Sequence, residues 1–443
     1  MSEQQQKGTN WVAVITMMFI YGMISFVTNL AAPMGNVWKY QPGIEGSNML
    51  GMMGNMMNFA AYLFMGIPAG KMLAKKGYKF TAMAGIATGF IGVLIQFLSG
   101  KVPFTDSAVI PFCVYLLGAF VCGFAVCMLN MVVNPMLNLL GGGGNRGNQL
   151  NLIGTTFNSL AGTATPMLVG VLIGQITNDT KVADVNLVMY IAMAVFAAAF
   201  VVLSFIPISN PDQGNTTEDV PVLAPLKFRH CLLGVIAIFM YVGIEIGIPA
   251  PMNLWLADKS GPLRTSGIDD VVKTAAGIAG MVAGTYWFLM LIGRTVGAFI
   301  GGKISSRILM TFTTATAILL ILIGTQTTGV SAKMPVFTGS GFQMVQVPLT
   351  ALLFALCGLM TSIMWPSTFN LATEKLGKYT AAASGLFMVM VVGGGVLPLV
   401  QNFIADKAGY MISYAVPVLA LAYMFVYSAF LSKPPKNIDE LVK

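Results

Sequence analysis

The strongest constraint on this chain is a series of twelve apolar stretches, at 11–36, 48–70, 80–100, 109–140, 150–176, 186–208, 231–257, 274–302, 307–328, 346–373, 380–405 and 409–432. A bilayer core about 30 Å thick is crossed by roughly 20 helical residues. Inside lipid a backbone must satisfy its own polar groups, so only helices and closed barrels can span it. A barrel would show strands of about ten residues with alternating polarity, and these runs do not alternate. Charged residues make up 9% of the 443 positions, against about 25% in an ordinary soluble domain. The sequence predicts an all-α membrane protein of twelve transmembrane helices. The first ten residues are polar, and the run after Trp11 is too long for a signal-peptide core, so it reads as the first span.

Charge in the connecting segments gives an orientation. With a cytoplasmic N-terminus, the 24 Lys and Arg divide about two to one in favour of the cytoplasmic side, as the positive-inside rule requires. Both termini are then cytoplasmic, and the protein is expected as a multi-pass component of the cell inner membrane, with the lipid bilayer as its surroundings. The net charge of +8 is a topology signal. Basic residues scattered over many short loops do not form a nucleic-acid surface. The segment 209–230 is polar and carries Pro211, Pro221 and Pro225. It reads as a cytoplasmic linker between two six-helix halves, 1–208 and 231–443. The halves resemble each other locally. Ala32-Pro33-Met34-Gly35-Asn36-Val37-Trp38 closes the first span, and Ala250-Pro251-Met252-Asn253-Leu254-Trp255 closes the seventh. Gly70-Lys71 ends the second span, and Gly293-Arg294 lies late in the eighth. Small residues permit close helix approach, and cations suit helix C-termini, so Gly70, Lys71 and Arg294 read as a conformational motif at the cytoplasmic face. A six-plus-six repeat of this kind resembles the major facilitator superfamily.

A closer resemblance rests on Asn134-Pro135, on Thr156-Phe157-Asn158-Ser159, on Tyr241-Val242-Gly243-Ile244-Glu245, on Trp365-Pro366-Ser367-Thr368-Phe369 and on Gly393-Gly394-Gly395-Val396-Leu397-Pro398. These stretches resemble the fucose–galactose–glucose:cation symporter family of that superfamily. The resemblance implies import of a small-molecule sugar driven by an ion gradient, with helices 1, 4, 7 and 10 lining the cavity. Two departures stand out. The fucose-permease branch places acids where this chain has Asn29 and Asn130, and a Gln where it has Thr155. Neither amide exchanges a proton at working pH.

Glu245 is the candidate ion-coupling residue. It is the one acidic residue within the run 231–257. A charged residue at mid-helix costs roughly 2.5–3.5 kcal/mol on insertion scales and normally faces a bundle interior or a wet cavity. A low-dielectric setting penalises the bare carboxylate, so either H⁺ uptake or Na⁺ binding would relieve it. Pro249 and Pro251 follow, and each removes a backbone donor and frees a carbonyl.

Amides supply the rest of the candidate site. Asn130, Asn134 and Asn138 recur every four residues and so share a helix face. Asn151, Thr155 and Asn158 form a second set, and Asn55 and Asn58 a third. A neutral polyol needs donors and acceptors without net charge, which amides provide; the same residues could instead hold helices together. Aromatic faces at Trp365, Tyr241 and Phe157 suit sugar C–H groups, whereas Trp38 and Trp255 near span ends suit an interfacial belt. The substrate-binding candidates are therefore Asn29, Asn130, Asn134, Thr155, Asn158, Tyr241 and Trp365.

Other chemistries find little support. Gly297 to Gly302-Lys303 imitates a phosphate loop, but Ile304 replaces its hydroxyl and no strand precedes it. His230 is the single histidine, and the five cysteines match no metal spacing; they read as small buried residues. No cofactor or metal is expected, apart from Na⁺ at Glu245, and no nucleophile–base pair points to an enzyme. A monomer is expected. The alternatives are a uniporter or exporter of a nucleoside, amino sugar or cell-wall fragment, or a nontransporting membrane sensor.

Overall fold

The computed structural model describes residues 11–103, 106–140, 144–173, 182–206, 221–258, 261–265, 275–300, 304–337, 342–376 and 379–435. Twelve long helices account for most of them. In the first half these are α1 (Trp11–Trp38), α2 (53–76), α3 (78–99), α4 (Val109–Leu140), α5 (Gly144–Ile173) and α6 (Asn186–Phe205). In the second they are α7 (Arg229–Ala257), α8 (Ala275–Ile300), α9 (Ser306–Gln326), α10 (Leu349–Ala372), α11 (Thr380–Met390 continuing as Gly393–Ala408) and α12 (Tyr410–Leu431). Among the described residues, ten segments are long and apolar enough to cross a membrane on composition. The other two long helices are α2, which carries Asn55, Asn58 and three lysines, and α5, which is rich in Asn, Gly and Thr.

The α2–α3 corner is abrupt because a single residue makes it. Gly77 sits at φ 83°, ψ 178° between two helical stretches, a backbone conformation that side-chain-bearing residues rarely adopt. The seventh span is broken in the manner its prolines predict, into Arg229–Gly247 and Pro249–Ala257. The Tyr414 hydroxyl donates to the Ile248 carbonyl at 2.9 Å, satisfying one acceptor at the break. The expected linker 209–230 lies outside the described residues as far as residue 220. Its last part carries a single 3₁₀ turn, Ala224–Lys227, just ahead of α7.

Within the halves, equivalent helices approach closely at glycine. Gly123 of α4 faces the Asn58 carbonyl of α2, and Gly358 of α10 faces the Tyr286 carbonyl of α8; a Cβ on either would stand 2.0 or 2.1 Å from that oxygen. Between the halves, α5 packs along α8, and α2 packs along α11. The outside of the bundle is apolar, with Phe64, Ile91, Leu117, Phe205, Phe312 and Leu419 all exposed. Water-soluble monomers rarely expose so continuous an apolar surface, whereas a lipid-facing surface requires it.

Among the described residues one short element stands outside the helices, and two expectations need correction. A two-stranded antiparallel hairpin, β1 (Ser331–Phe337) and β2 (Phe342–Pro348), joins α9 to α10. Its alternation buries Met334, Val336, Val345 and Val347. That alternation is too short to stand out beside the spans. Trp38 is fully buried, against Phe112 and Tyr115 at 5.3 and 5.2 Å, so it packs helices and does not sit in an interfacial belt. Cys113 is exposed, unlike the other four cysteines, because its face of α4 points away from the bundle.

Candidate functional site

A cavity of about 150 Å³ lies between the halves. The first half contributes Tyr21, Ser25, Thr28 and Asn29 from α1, Tyr62 from α2, Asn130 from α4, and Thr155 and Asn158 from α5. The second half contributes Tyr241 and Glu245 from α7, Trp287 and Arg294 from α8, and Trp365 from α10. The α1 residues recur at the helical spacing that aligns one face.

Glu245 lies one turn after Tyr241, whose hydroxyl donates to its Oε1 at 2.9 Å. The Arg294 guanidinium donates to the same oxygen at 3.4 Å. Its other terminal nitrogen donates to the Thr155 carbonyl at 3.0 Å and to Ser159 Oγ at 2.8 Å. Both charged side chains are largely buried, 14% and 15% exposed, and such charges are tolerable only when paired and hydrogen-bonded. Arg294 therefore joins the α7 carboxylate to α5 of the opposite half. The expectation of a cytoplasmic-face motif is corrected for this residue. Its side chain turns into the cavity, toward the Glu245 carboxylate and the Thr155 carbonyl of α5. Gly70 and Lys71 do lie at the α2 end, with Lys71 exposed, apart from the cavity.

The amides form a neutral polar lining. Asn29 donates to the Ser25 carbonyl at 2.9 Å, Asn130 to Tyr62 Oη at 2.8 Å, and Asn158 to the Tyr21 carbonyl at 3.3 Å. An Asn that donates one amide hydrogen still has an acceptor oxygen to offer a ligand, as at Asn29 and Asn158. The side chains of Asn134, Asn138 and Asn151 lie outside the described residues. Asn55 instead lines a smaller adjoining cavity with Asn29 and Asn253, and Asn58 faces a separate space inside the first half. On the aromatic side, Tyr241 and Trp365 are in contact at 5.9 Å between ring centres. Trp287 is held edge-on by Tyr286 at 5.6 Å. Phe157 is 43% exposed and does not line the cavity, because about 100° of helical rotation separates it from the inward-facing Asn158.

Tyr21, Ser25, Thr28, Tyr62 and Trp287 were not singled out from sequence. For Trp287 a signal existed: it sits seven residues before Arg294 and so on the same helix face. The tyrosines carry no such mark, since aromatic residues are common in spans.

Above this cavity, on the face opposite Trp11 and Leu431, layers of contact join the halves. Asn55 donates to the Gly394 carbonyl at 2.8 Å, and Asn36 to Asn253 Oδ1 at 2.7 Å. Beyond them Lys39, at the end of α1, pairs with Asp258 at the end of α7.

No protein-family model matches the chain. It is 28% identical to a glucose/galactose transporter of Brucella abortus, over 98% of this chain and 96% of that protein. It is 24% identical to the L-fucose-proton symporter of Escherichia coli, over 86% of this chain and 84% of that protein. It also superposes, with a TM-score of 0.63 at 18% identity, on a crystal structure of a major facilitator superfamily transporter in the outward conformation, covering 95% of this chain and all of that one. The chain is thus a homologue, over most of its length, of proteins named glucose/galactose transporter and L-fucose-proton symporter, built on the major facilitator superfamily fold.

Proposed function

We propose that this protein is a secondary active transporter that imports a neutral monosaccharide, of the hexose or deoxyhexose class, by alternating access coupled to an ion through Glu245. The observation that carries this reading is the cavity itself. Amides from the first half, aromatic faces from the second, and one carboxylate–guanidinium pair meet between two six-helix units. Such a lining offers a polyol both donors and acceptors, stacking surface and no net charge. The relatives named for glucose, galactose and fucose transport support the same substrate class.

The geometry favours H⁺ over Na⁺ as the coupling ion. A guanidinium already stands 3.4 Å from the carboxylate oxygen that a Na⁺ would seek. Two like charges about 4 Å apart repel by about 4 kcal/mol at an effective dielectric of 20. A proton, by contrast, needs no coordination shell. Neutralising Glu245 would loosen its hold on Arg294, and with it the tie between α7–α8 and α5. Sugar and proton together would then shift the conformational equilibrium by their differential affinity for the two states. On the charge distribution the protein sits in the cell inner membrane with cytoplasmic termini, and it acts as a monomer.

The direct test is uptake of labelled glucose, galactose, mannose and fucose into cells expressing the protein, with Na⁺ present or replaced and with a protonophore added. Accumulation of at least one sugar that survives Na⁺ replacement and is lost to the protonophore is the expected result. Uptake of none of them, in cells where the protein reaches the membrane, would overturn the reading. Two aromatic substitutions give a sharper contrast. Trp365→Ala should raise the KM for sugar about tenfold, since a stacking face is worth about 0.5–1.5 kcal/mol beyond its buried area. Phe157→Ala should leave the KM within twofold. Equal effects at both positions would mean that the aromatic lining does not read the sugar.

A further inference from the structure

The outermost contact between the halves is built from charges in a way that a simple seal does not need. Lys39 is 3% exposed, and its ammonium donates to Asp258, to Asn48 Oδ1 at 2.6 Å and to Tyr410 Oη at 3.0 Å. Those three bonds use all three of its hydrogens. A second carboxylate of the same half, Asp406 at the end of α11, accepts from the Asn48 and Met49 backbone N–H groups at 2.7 and 2.9 Å and from Ser47 Oγ at 3.0 Å. Donation from the first half therefore converges on Asp258 and Asp406, the two carboxylates that the described residues of the second half place at this face.

We propose that Lys39–Asp258 and the Asp406 cap on residues 47–49 form a two-point latch that holds this face of the transporter closed and must release for the central cavity to reach it. Charge suits such a contact. In the closed state the carboxylates and the ammonium satisfy one another. When the halves part, water takes over each group, so both states are satisfied and the net cost of opening stays small. An apolar seal would leave oily surface in water each time it opened. The contacts beneath the latch, Asn36 with Asn253 and Asn55 with the Gly394 carbonyl, are hydrogen bonds from side-chain amides that water replaces as readily. The latch rests on the alternating-access reading but not on the identity of the sugar or the ion.

The test measures the opening directly. Spin labels on Lys101→Cys, beyond α3, and Thr328→Cys, beyond α9, would report the separation of the halves at this face. They are introduced after the five native cysteines are replaced by Ala, in the full-length protein in lipid nanodiscs without sugar or ion gradient. The parent should show mainly the shorter distance. Asp258→Asn and Asp406→Asn should each raise the ratio of longer to shorter distances about tenfold, the effect of losing about one strong contact. The exchanged pair Lys39→Asp with Asp258→Lys should return it toward the parent. Distances unchanged in both single variants would overturn the latch, as would an exchanged pair no closer to the parent than Asp258→Asn alone. Asp406→Asn keeps the side-chain shape and remains informative if disruption of the buried lysine impairs folding. No readout depends on transport, so a wrong sugar assignment would leave these outcomes unaffected.

Discussion

Glu245→Gln should abolish accumulation of sugar against a gradient while leaving sugar exchange across the membrane intact. The substitution keeps the shape of the side chain and its ability to accept from the Tyr241 hydroxyl, now 2.9 Å away, but removes the charge and the exchangeable proton. Arg294 keeps its bonds to the Thr155 carbonyl and Ser159 Oγ, so the cavity should not collapse. A transporter that can no longer bind its driving ion can still alternate when sugar is bound, because sugar alone retains its differential affinity for the two states. The measurement is paired: uphill uptake into energised vesicles, and counterflow of labelled sugar into vesicles preloaded with unlabelled sugar. Uptake should fall to parity between inside and outside while counterflow persists. Undiminished uphill uptake would remove Glu245 from the coupling role. Loss of both activities in a correctly folded variant would assign it to sugar binding instead.

The second large effect is structural. Gly358→Val should sharply reduce the amount of folded protein recovered and lower the apparent Tm of what remains. A Cβ at this position would meet the Tyr286 carbonyl oxygen at 2.1 Å, and that oxygen belongs to a helix backbone that cannot rotate aside. Overpacking typically costs about 1–3 kcal/mol, and a fixed obstacle places this case at the upper end or beyond. Separating α8 from α10 would also disturb the Tyr286–Thr361 hydrogen bond, at 2.9 Å, and the edge-on support of Trp287 in the cavity wall. Gly385→Ala is the control. Nothing lies within 4 Å of a Cβ there, and replacing a helical Gly by Ala gains about 1 kcal/mol of helix propensity. Size-exclusion profiles and thermal unfolding in detergent would separate the two. Similar behaviour of both variants would show that the α8–α10 contact is not tight.

The positions of Gly358 and Gly123 also bear on what a sequence conveys. Glycines are frequent along these spans, and nothing local separates one pressed against a neighbouring carbonyl from one facing open space. The helix-to-helix contact creates the difference. Trp38 and Phe157 make the same point for aromatics. Both were read from their distance to a span end or a neighbour in the chain. Which side of the helix faces the bundle decided the outcome, and in a uniformly apolar span the hydrophobic pattern does not mark that side.

What the chain determined by itself follows from solvation. Twelve runs of bilayer length, few charges and an uneven spread of Lys and Arg leave no option but helices across lipid. A lone acid in the seventh run, with two prolines after it, already pointed to a polar interior and a broken helix. Asn130, Thr155 and Asn158 were legible as polar helix faces because helical spacing aligns such residues whatever the surroundings, and Asn29 through the family resemblance alone. Only the tertiary structure decided what those residues meet. It turned Arg294 from a helix-end cation into the partner of Glu245, and it joined Lys39 to Asp258 across 219 residues. Such pairings rest on forces between helices that are distant in sequence. In lipid those forces depend on which faces come together, and no run of neighbouring residues encodes that.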